Sequence, residues 1–292
     1  MTDEKIELNR EYIGKEYHVG PHVVDPESVR KYALATNESN PRYMDNVPDA
    51  ELAVPPIFPV SFLPDILSQL GEDAEEMNFN VLRAVHANQK MIWRSPLKPG
   101  DEIYTTAKIA NIETRGVNEI VDLLIHMKRD DDIVVEINYR ILVRGKKKAE
   151  EKKPSKDAKA PEKGKLLAKR SMTVTADQGA RYAEASGDHN PIHVSDEIAR
   201  SVGLPRAILH GLCTMAISSQ AIVDGLLDGD PTRLKSLDVR FSRPVLLDQT
   251  ITTEVYEGGV SNEGLQLVHI ETRDENDVPV LTHGIAEFVT KG

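Results

Sequence analysis

The chain repeats itself, and this repeat is the strongest constraint on its fold. The segment "YALATNESNPRY" at 32–43 matches "YAEASGDHNPIH" at 182–193, which begins 150 positions later in a chain of 292 residues. A second pair, "WRSPLKPGDEIYTTAKI" at 93–109 and "FSRPVLLDQTITTEVY" at 241–256, follows in the same order. Two copies of one unit are therefore expected, rather than an array of short repeats.

A charged segment separates the two copies. The stretch "GKKKAEEKKPSKDAKAPEKGK" at 145–165 has no apolar periodicity and cannot bury a core, which is typical of a linker. A lysine-rich tail for nucleic acid is the alternative, and the glutamates between the lysines argue against it. We predict a first domain at 1–144, a flexible charged linker at 145–166 and a second domain at 167–292.

Each copy ends in long alternating runs of β-branched residues, at 118–143 and 265–289. Acidic clusters interrupt both runs, so each predicts two antiparallel strands joined by a turn. Both copies are therefore expected to have much of their length in antiparallel strands.

Three helices are predicted in the second copy, at 175–186, 195–203 and 210–227. The third has apolar or small residues around most of its circumference, which indicates burial on nearly all sides. A strand-rich unit that wraps one buried helix is a hot-dog fold. The fold class is thus α+β, a double hot-dog with two antiparallel sheets that each wrap a central helix, forming a pseudo-dimer within one chain.

Composition excludes several classes of function. The net charge of −11 disfavours nucleic acid and anionic membranes as partners. A single cysteine, Cys213, allows neither an intrachain disulfide nor a cysteine-based zinc site. The longest uncharged apolar run, at 208–223, is shorter than the roughly 20 residues of a membrane span, and the N-terminus lacks the apolar core of a signal peptide. A cytoplasmic protein is expected.

The loop "ASGDHNPIHVS" at 185–195 places an acid, Asp188, close to a base, His193. Pro191 makes a continuous helix unfavourable, and the turn that it favours lets both side chains face one cavity. An imidazole beside a carboxylate can position a water molecule and take its proton. The same residue types are ordinary in surface turns, so this loop alone leaves a purely structural interpretation open.

A His-Gly pair, His210 and Gly211, begins the predicted buried helix. The amide of Gly211 is then an unpaired N–H at a helix N-terminus, where no side chain blocks a ligand oxygen. An acid–base pair together with such a donor is what the addition of water to a conjugated thioester requires.

The stretch "YAEASGDHNPIHVSDEIARSVGLPRAILHGL" at 182–212 resembles the hydratase motif of the MaoC-like hot-dog family, the (R)-specific enoyl-CoA hydratases and related 3-hydroxyacyl-thioester dehydratases. The likeness extends over 168–292, and the first copy resembles the degenerate N-terminal hot dog of two-domain members. It implies that Asp188 and His193 are the catalytic pair, and that Gly211, with Asn190 and His210, binds the substrate and its oxyanion.

The resemblance implies reversible hydration of trans-2-enoyl-CoA to (3R)-3-hydroxyacyl-CoA. Coenzyme A is then part of the substrate, no further cofactor and no metal are expected, and Arg240 and Arg243 are candidates to contact its phosphates. Three alternatives stay open: a 3-hydroxyacyl-thioester dehydratase of fatty acid synthesis that acts on CoA or carrier-protein substrates, an acyl-thioesterase, and a non-catalytic acyl-thioester-binding subunit. A further homodimer is also open.

The first copy departs from the motif. Glu38 matches Asp188, but Tyr43 stands where the histidine belongs, and no His-Gly pair follows. Pro59 and Pro64 should break the helix that corresponds to the buried one. We therefore expect this copy to hold the acyl chain and to take no part in the chemistry.

Overall fold

The computed structural model describes residues 7–145 and 163–291, so most of the predicted linker lies outside the described residues. The first copy contains helices α1 (Pro26–Ala35) and α2 (Leu63–Glu72), and the second contains α3 (Gln178–Ser186), α4 (Asp196–Ser201) and α5 (Gly211–Leu226). The strands of the first copy are β1 (Glu16–Val23), β2 (Ala84–Trp93), β3 (Glu102–Arg115), β4 (Asn118–Arg129) and β5 (Asp132–Val143). Those of the second are β6 (Leu166–Thr173), β7 (Leu234–Phe241), β8 (Thr250–Val260), β9 (Gln266–Asp274) and β10 (Pro279–Phe288).

These strands form one antiparallel sheet in the order β1-β3-β4-β5-β2-β7-β10-β9-β8-β6. From one edge of the sheet the strands of the first copy run β1-β3-β4-β5-β2, and from the other edge those of the second copy run β6-β8-β9-β10-β7. The corresponding strands thus follow the same order, which confirms the duplication and the double hot-dog fold. The expectation of two sheets was wrong in one respect, because β2 pairs with β7 and makes the sheet continuous. Each copy alone would leave an edge strand there with unpaired N–H and C=O groups, and pairing the two edges satisfies them.

Helix α5 is the central helix of the second copy and packs on β6, β7 and β8. Its residues from Cys213 to Val223 are all buried, as the small and apolar sequence predicts. Helices α1 and α3 meet across the pseudo-twofold axis, where the hydroxyls of Tyr32 and Tyr182 lie 3.3 Å apart. The two copies therefore share one continuous core.

The equivalent helix of the first copy is broken, as its prolines predict. A 3-10 turn at Phe58–Phe62 replaces the first part, and α2 follows as a shorter helix. Trp93 at the end of β2 is buried, and its indole N–H donates to the carbonyl of Pro56 at 2.9 Å. Within residues 7–145 and 163–291, none of the helices has the length and apolar character needed to cross a membrane.

Candidate active site

The loop after α3 turns as its sequence predicts. Gly187 ends the helix with a φ of +76°, a left-handed conformation that glycine adopts without strain. A 3-10 turn at Pro191–His193 follows, and the side chain of Asn190 caps it by accepting from the amide of Ile192 at 3.3 Å. This turn points His193 inward, where its side chain is buried, while Asn190 stays exposed at the cap.

The segment before α5 holds the turn in place. The amide of Ile208 donates to the carbonyl of Ile192, and the amide of Leu209 donates to Val245 at 2.8 Å. The Nδ1 atom of His193 lies 2.8 Å from the carbonyl oxygen of Ile208. Because a carbonyl only accepts, Nδ1 carries the hydrogen and the lone pair of His193 is on Nε2.

His210 stacks on His193, with ring centroids 3.7 Å apart. Its Nε2–H donates to the backbone carbonyl of Asp188 at 2.9 Å, so this histidine fixes the loop that bears the acid. Burial lowers the pKa of His193, and the negative charge of Asp188 acts in the opposite direction. Burial and the neighbouring His193 lower the pKa of His210 to about 4. Both rings are therefore neutral at neutral pH.

Asp188, His193 and His210 form a cluster in which one ligating atom of each lies within 4.8 Å of the others. The two imidazoles are nearly parallel, with 25° between their planes. Lone pairs of imidazole lie in the ring plane, so those of two stacked rings point side by side instead of converging on one ion. The arrangement suits proton transfer better than metal binding.

Gly211 is the first residue of α5, and its amide has no acceptor among the described residues. A Cβ at this position would lie 3.1 Å from Cδ1 of Phe241. The glycine therefore permits close packing of that aromatic ring, in addition to the access for a ligand oxygen that the sequence suggested. The positive end of a 16-residue helix is available here to a developing negative charge.

The first copy contributes two residues that sequence reasoning missed. His86 of β2 stacks on Tyr139 of β5, with centroids 3.8 Å apart, and its ring centroid lies 4.6 Å from that of Phe241. Burial lowers the pKa of His86 to about 3, while the charge of Asp188 acts in the opposite direction. Burial and Asp188 both raise the pKa of Tyr139. The charge of Asp188, in the second copy, thus acts on side chains of the first.

Gly179 in α3 is a further residue that the motif did not reveal. A Cβ there would lie 2.4 Å from the carbonyl oxygen of His193. The backbone of the His193 turn therefore packs directly on α3 at this glycine. A glycine inside a predicted helix was the available signal, since it lowers helix stability and needs a reason.

Arg240 and Arg243 flank Phe241, and both are exposed. Neither guanidinium makes an ion pair or hydrogen bond to any residue that the structure describes. Their contact with coenzyme A stays a prediction. His189 is exposed, and Cys213 and Met215 are fully buried, as expected.

In the first copy, Tyr43 occupies the place of His193 and is buried, so it is a packed aromatic as predicted. Asn40 repeats the cap seen at Asn190 by accepting from the amide of Arg42 at 3.1 Å. Burial, together with the negative charge of Asp224, raises the pKa of Glu38 to about 8. No imidazole stands beside this carboxyl, so the proton-transfer pair is absent from the described part of this copy.

Both copies match models of dehydratase families. Residues 157–279 match the MaoC like domain, and residues 11–137 match the FAS1-like, dehydratase domain region. A MaoC-like dehydratase from Phytophthora capsici superposes with a TM-score of 0.83 at 21% identity, covering 97% of this chain and 99% of that one.

Two curated relatives are similar in sequence. The peroxisomal multifunctional enzyme type 2 of Mus musculus is 28% identical over 201 residues, which are 68% of this chain and only 26% of that enzyme. A probable enoyl-CoA hydratase 2 of Dictyostelium discoideum is 28% identical over 210 residues, 69% of each protein. The chain therefore spans about a quarter of the first relative and about two thirds of the second.

Proposed function

Residues 157–279 match the MaoC like domain, and on that premise we propose that the chain hydrates trans-2-enoyl-CoA reversibly to (3R)-3-hydroxyacyl-CoA. One observation carries the proposal most strongly. Asp188 and a His193 whose Nδ1–H is held by Ile208 lie in one cluster, close to the free amides that begin α5. The pair supplies proton transfer, and the amide of Gly211 supplies charge stabilisation.

The water molecule is held by two acceptors. Nε2 of His193 bears a lone pair, and the carboxylate of Asp188 also accepts, so the two hydrogens of one water point at these groups. The oxygen of that water then has a lone pair free for C3 of the enoyl group. As the O–C3 bond forms, the C2=C3 π bond opens toward the thioester, and Nε2 takes the proton of the water.

The negative charge that reaches the thioester oxygen needs a donor. The amide of Gly211 provides it, together with the positive end of α5, and such a donor typically contributes about 3–4 kcal/mol to the transition state. The imidazolium of His193, stabilised by Asp188, then returns its proton to C2. Oxygen and hydrogen are thus added from one side of the double bond, and the enzyme ends in its starting state.

Several features support coenzyme A as the thiol carrier. The net charge of −11 would repel a strongly acidic carrier protein, whereas Arg240 and Arg243 offer two exposed cations beside Phe241 for phosphates. The chemistry needs no further cofactor and no metal. We take 1–144 and 167–292 as two domains that act as one pseudo-dimer. The cytoplasmic location and any larger assembly stay predictions.

The test uses trans-2-enoyl-CoAs of four to twelve carbons with the purified full chain. Hydration is followed by loss of the conjugated-thioester absorbance, and release of free thiol is measured in parallel. Consumption of the double bond without thiol release is expected. Thiol release as the main reaction would favour an acyl-thioesterase, and binding without turnover at every length would leave only a binding subunit.

A further inference from the structure

One buried polar residue that the mechanism does not use is Gln89, in the middle of β2. Its side chain is fully buried, and neither Oε1 nor Nε2 makes a hydrogen bond of ordinary geometry to a described residue, although the amide lies close enough to His86 to raise the pKa of that imidazole. Buried amides without partners are rare because desolvation is then uncompensated. The presence of a glutamine at this buried position therefore needs an explanation.

The second copy shows which kind of residue the fold needs at the position of Gln89. Phe241 lies 148 positions after Trp93, and the same step leads from Gln89 to Leu237. Leu237 is also fully buried. An apolar residue therefore satisfies the packing of this position, and the glutamine is not needed to build the sheet.

Strand register places Gln89 within a polar group of the first copy. Gln89 pairs with Tyr139 on β5, and on its other side with Val239 on β7. A bulge between His86 and Asn88 returns His86 to the same face as Gln89 and Tyr139. We call these three residues, His86, Gln89 and Tyr139, the polar wall.

The polar wall faces the site described above. Phe241 lies against His86 on one side and against the Gly211 position on the other. Asp188 is close enough for its charge to act on both His86 and Tyr139. A substrate whose thioester oxygen is at Gly211 and whose C3 is at Asp188 would therefore lie beside the polar wall.

We propose that the polar wall binds an oxygen-bearing group, a carbonyl or hydroxyl, on the acyl chain beyond C3. This inference rests on the proposed function and names its substrate class: acyl thioesters with a polar group on the chain, in preference to plain alkyl chains. Nε2 of Gln89 donates to the oxygen of this group, with the hydroxyl of Tyr139 as a second donor. A plain alkyl chain leaves the buried amide without a partner.

The experiment compares three substrates with the full chain: trans-2-octenoyl-CoA and its 6-oxo and 7-oxo derivatives. We expect kcat/KM for at least one oxo substrate to exceed that of octenoyl-CoA by tenfold or more. In Gln89→Leu, which copies the residue of the second copy, this ratio should fall to about one. Met91→Leu, at the next inward and fully buried position of β2, is the control and should keep the wild-type ratio.

The outcomes separate this inference from the proposed function. If octenoyl-CoA is hydrated but neither oxo substrate is preferred, the polar wall has no such role and the hydratase assignment stands. An unchanged preference in Gln89→Leu would likewise overturn the inference. If none of the three thioesters is hydrated, the proposed function itself fails. Thermal unfolding of Gln89→Leu at or above the wild-type temperature is expected, because the variant removes an unpaired buried amide.

Discussion

Replacing Gly179 by alanine should impair catalysis without touching the substrate. The new Cβ would lie 2.4 Å from the carbonyl oxygen of His193, whereas ordinary contacts begin at about 3.4 Å. Relief of this clash requires the His193 turn or α3 to move by about 1 Å. Displacements of this size typically cost on the order of a hundredfold in rate, so we expect kcat/KM for enoyl-CoA hydration to fall by about ten- to a hundredfold.

The matched control is Gly71→Ala. Gly71 also lies in a helix, α2, but a Cβ there meets nothing within 4 Å. This variant should keep wild-type kinetics and gain up to about 1 kcal/mol of stability from the higher helix propensity of alanine. The test compares the steady-state kinetics and the thermal unfolding of both variants with those of the wild type. A folded Gly179→Ala with wild-type kcat/KM would refute the claim that the packing of α3 positions His193.

Two further predictions concern the proposed catalytic pair. Asp188→Asn and His193→Ala should each lower kcat for enoyl-CoA hydration by about a hundredfold or more with unchanged circular dichroism, and near-normal turnover in either would contradict the mechanism. The pH profile of kcat/KM should stay level down to values below 6.5, because burial lowers the pKa of His193 and a base acts in its neutral form. An acid limb centred above 6.5 would show that His193 is not the base.

Local signals made much of the turn that carries Asp188 and His193 predictable. Pro191 and Gly187 marked the turn, and Ser195 marked the start of α4, where its hydroxyl accepts from the amide of Ile198. The buried character of α5 followed from its composition alone. These features depend on residues that are close in sequence, so the chain shows them without any knowledge of its pairing.

The contribution of the first copy could not be predicted in the same way. His86 and Tyr139 are far apart in the sequence, and both are far from Asp188. Pairing of β2 with β5 brings the first two together, and pairing of β2 with β7 places them beside the second copy. The bulge next to His86 decides which face its ring occupies. The expectation that the first copy holds the acyl chain and takes no part in the chemistry came from its degenerate motif, and the sequence did not show which of its strands lie beside the site of the other copy.

The most direct test of the account is hydration of trans-2-octenoyl-CoA by the full chain in deuterium oxide. One water held between Asp188 and Nε2 of His193 adds its oxygen to C3 and delivers its deuteron to C2 from the same side. The account predicts (3R)-3-hydroxyoctanoyl-CoA with one deuteron at C2 in the syn arrangement, and no such product from His193→Ala. A 3S product, an anti arrangement of oxygen and deuterium, or free thiol with the double bond intact would contradict it.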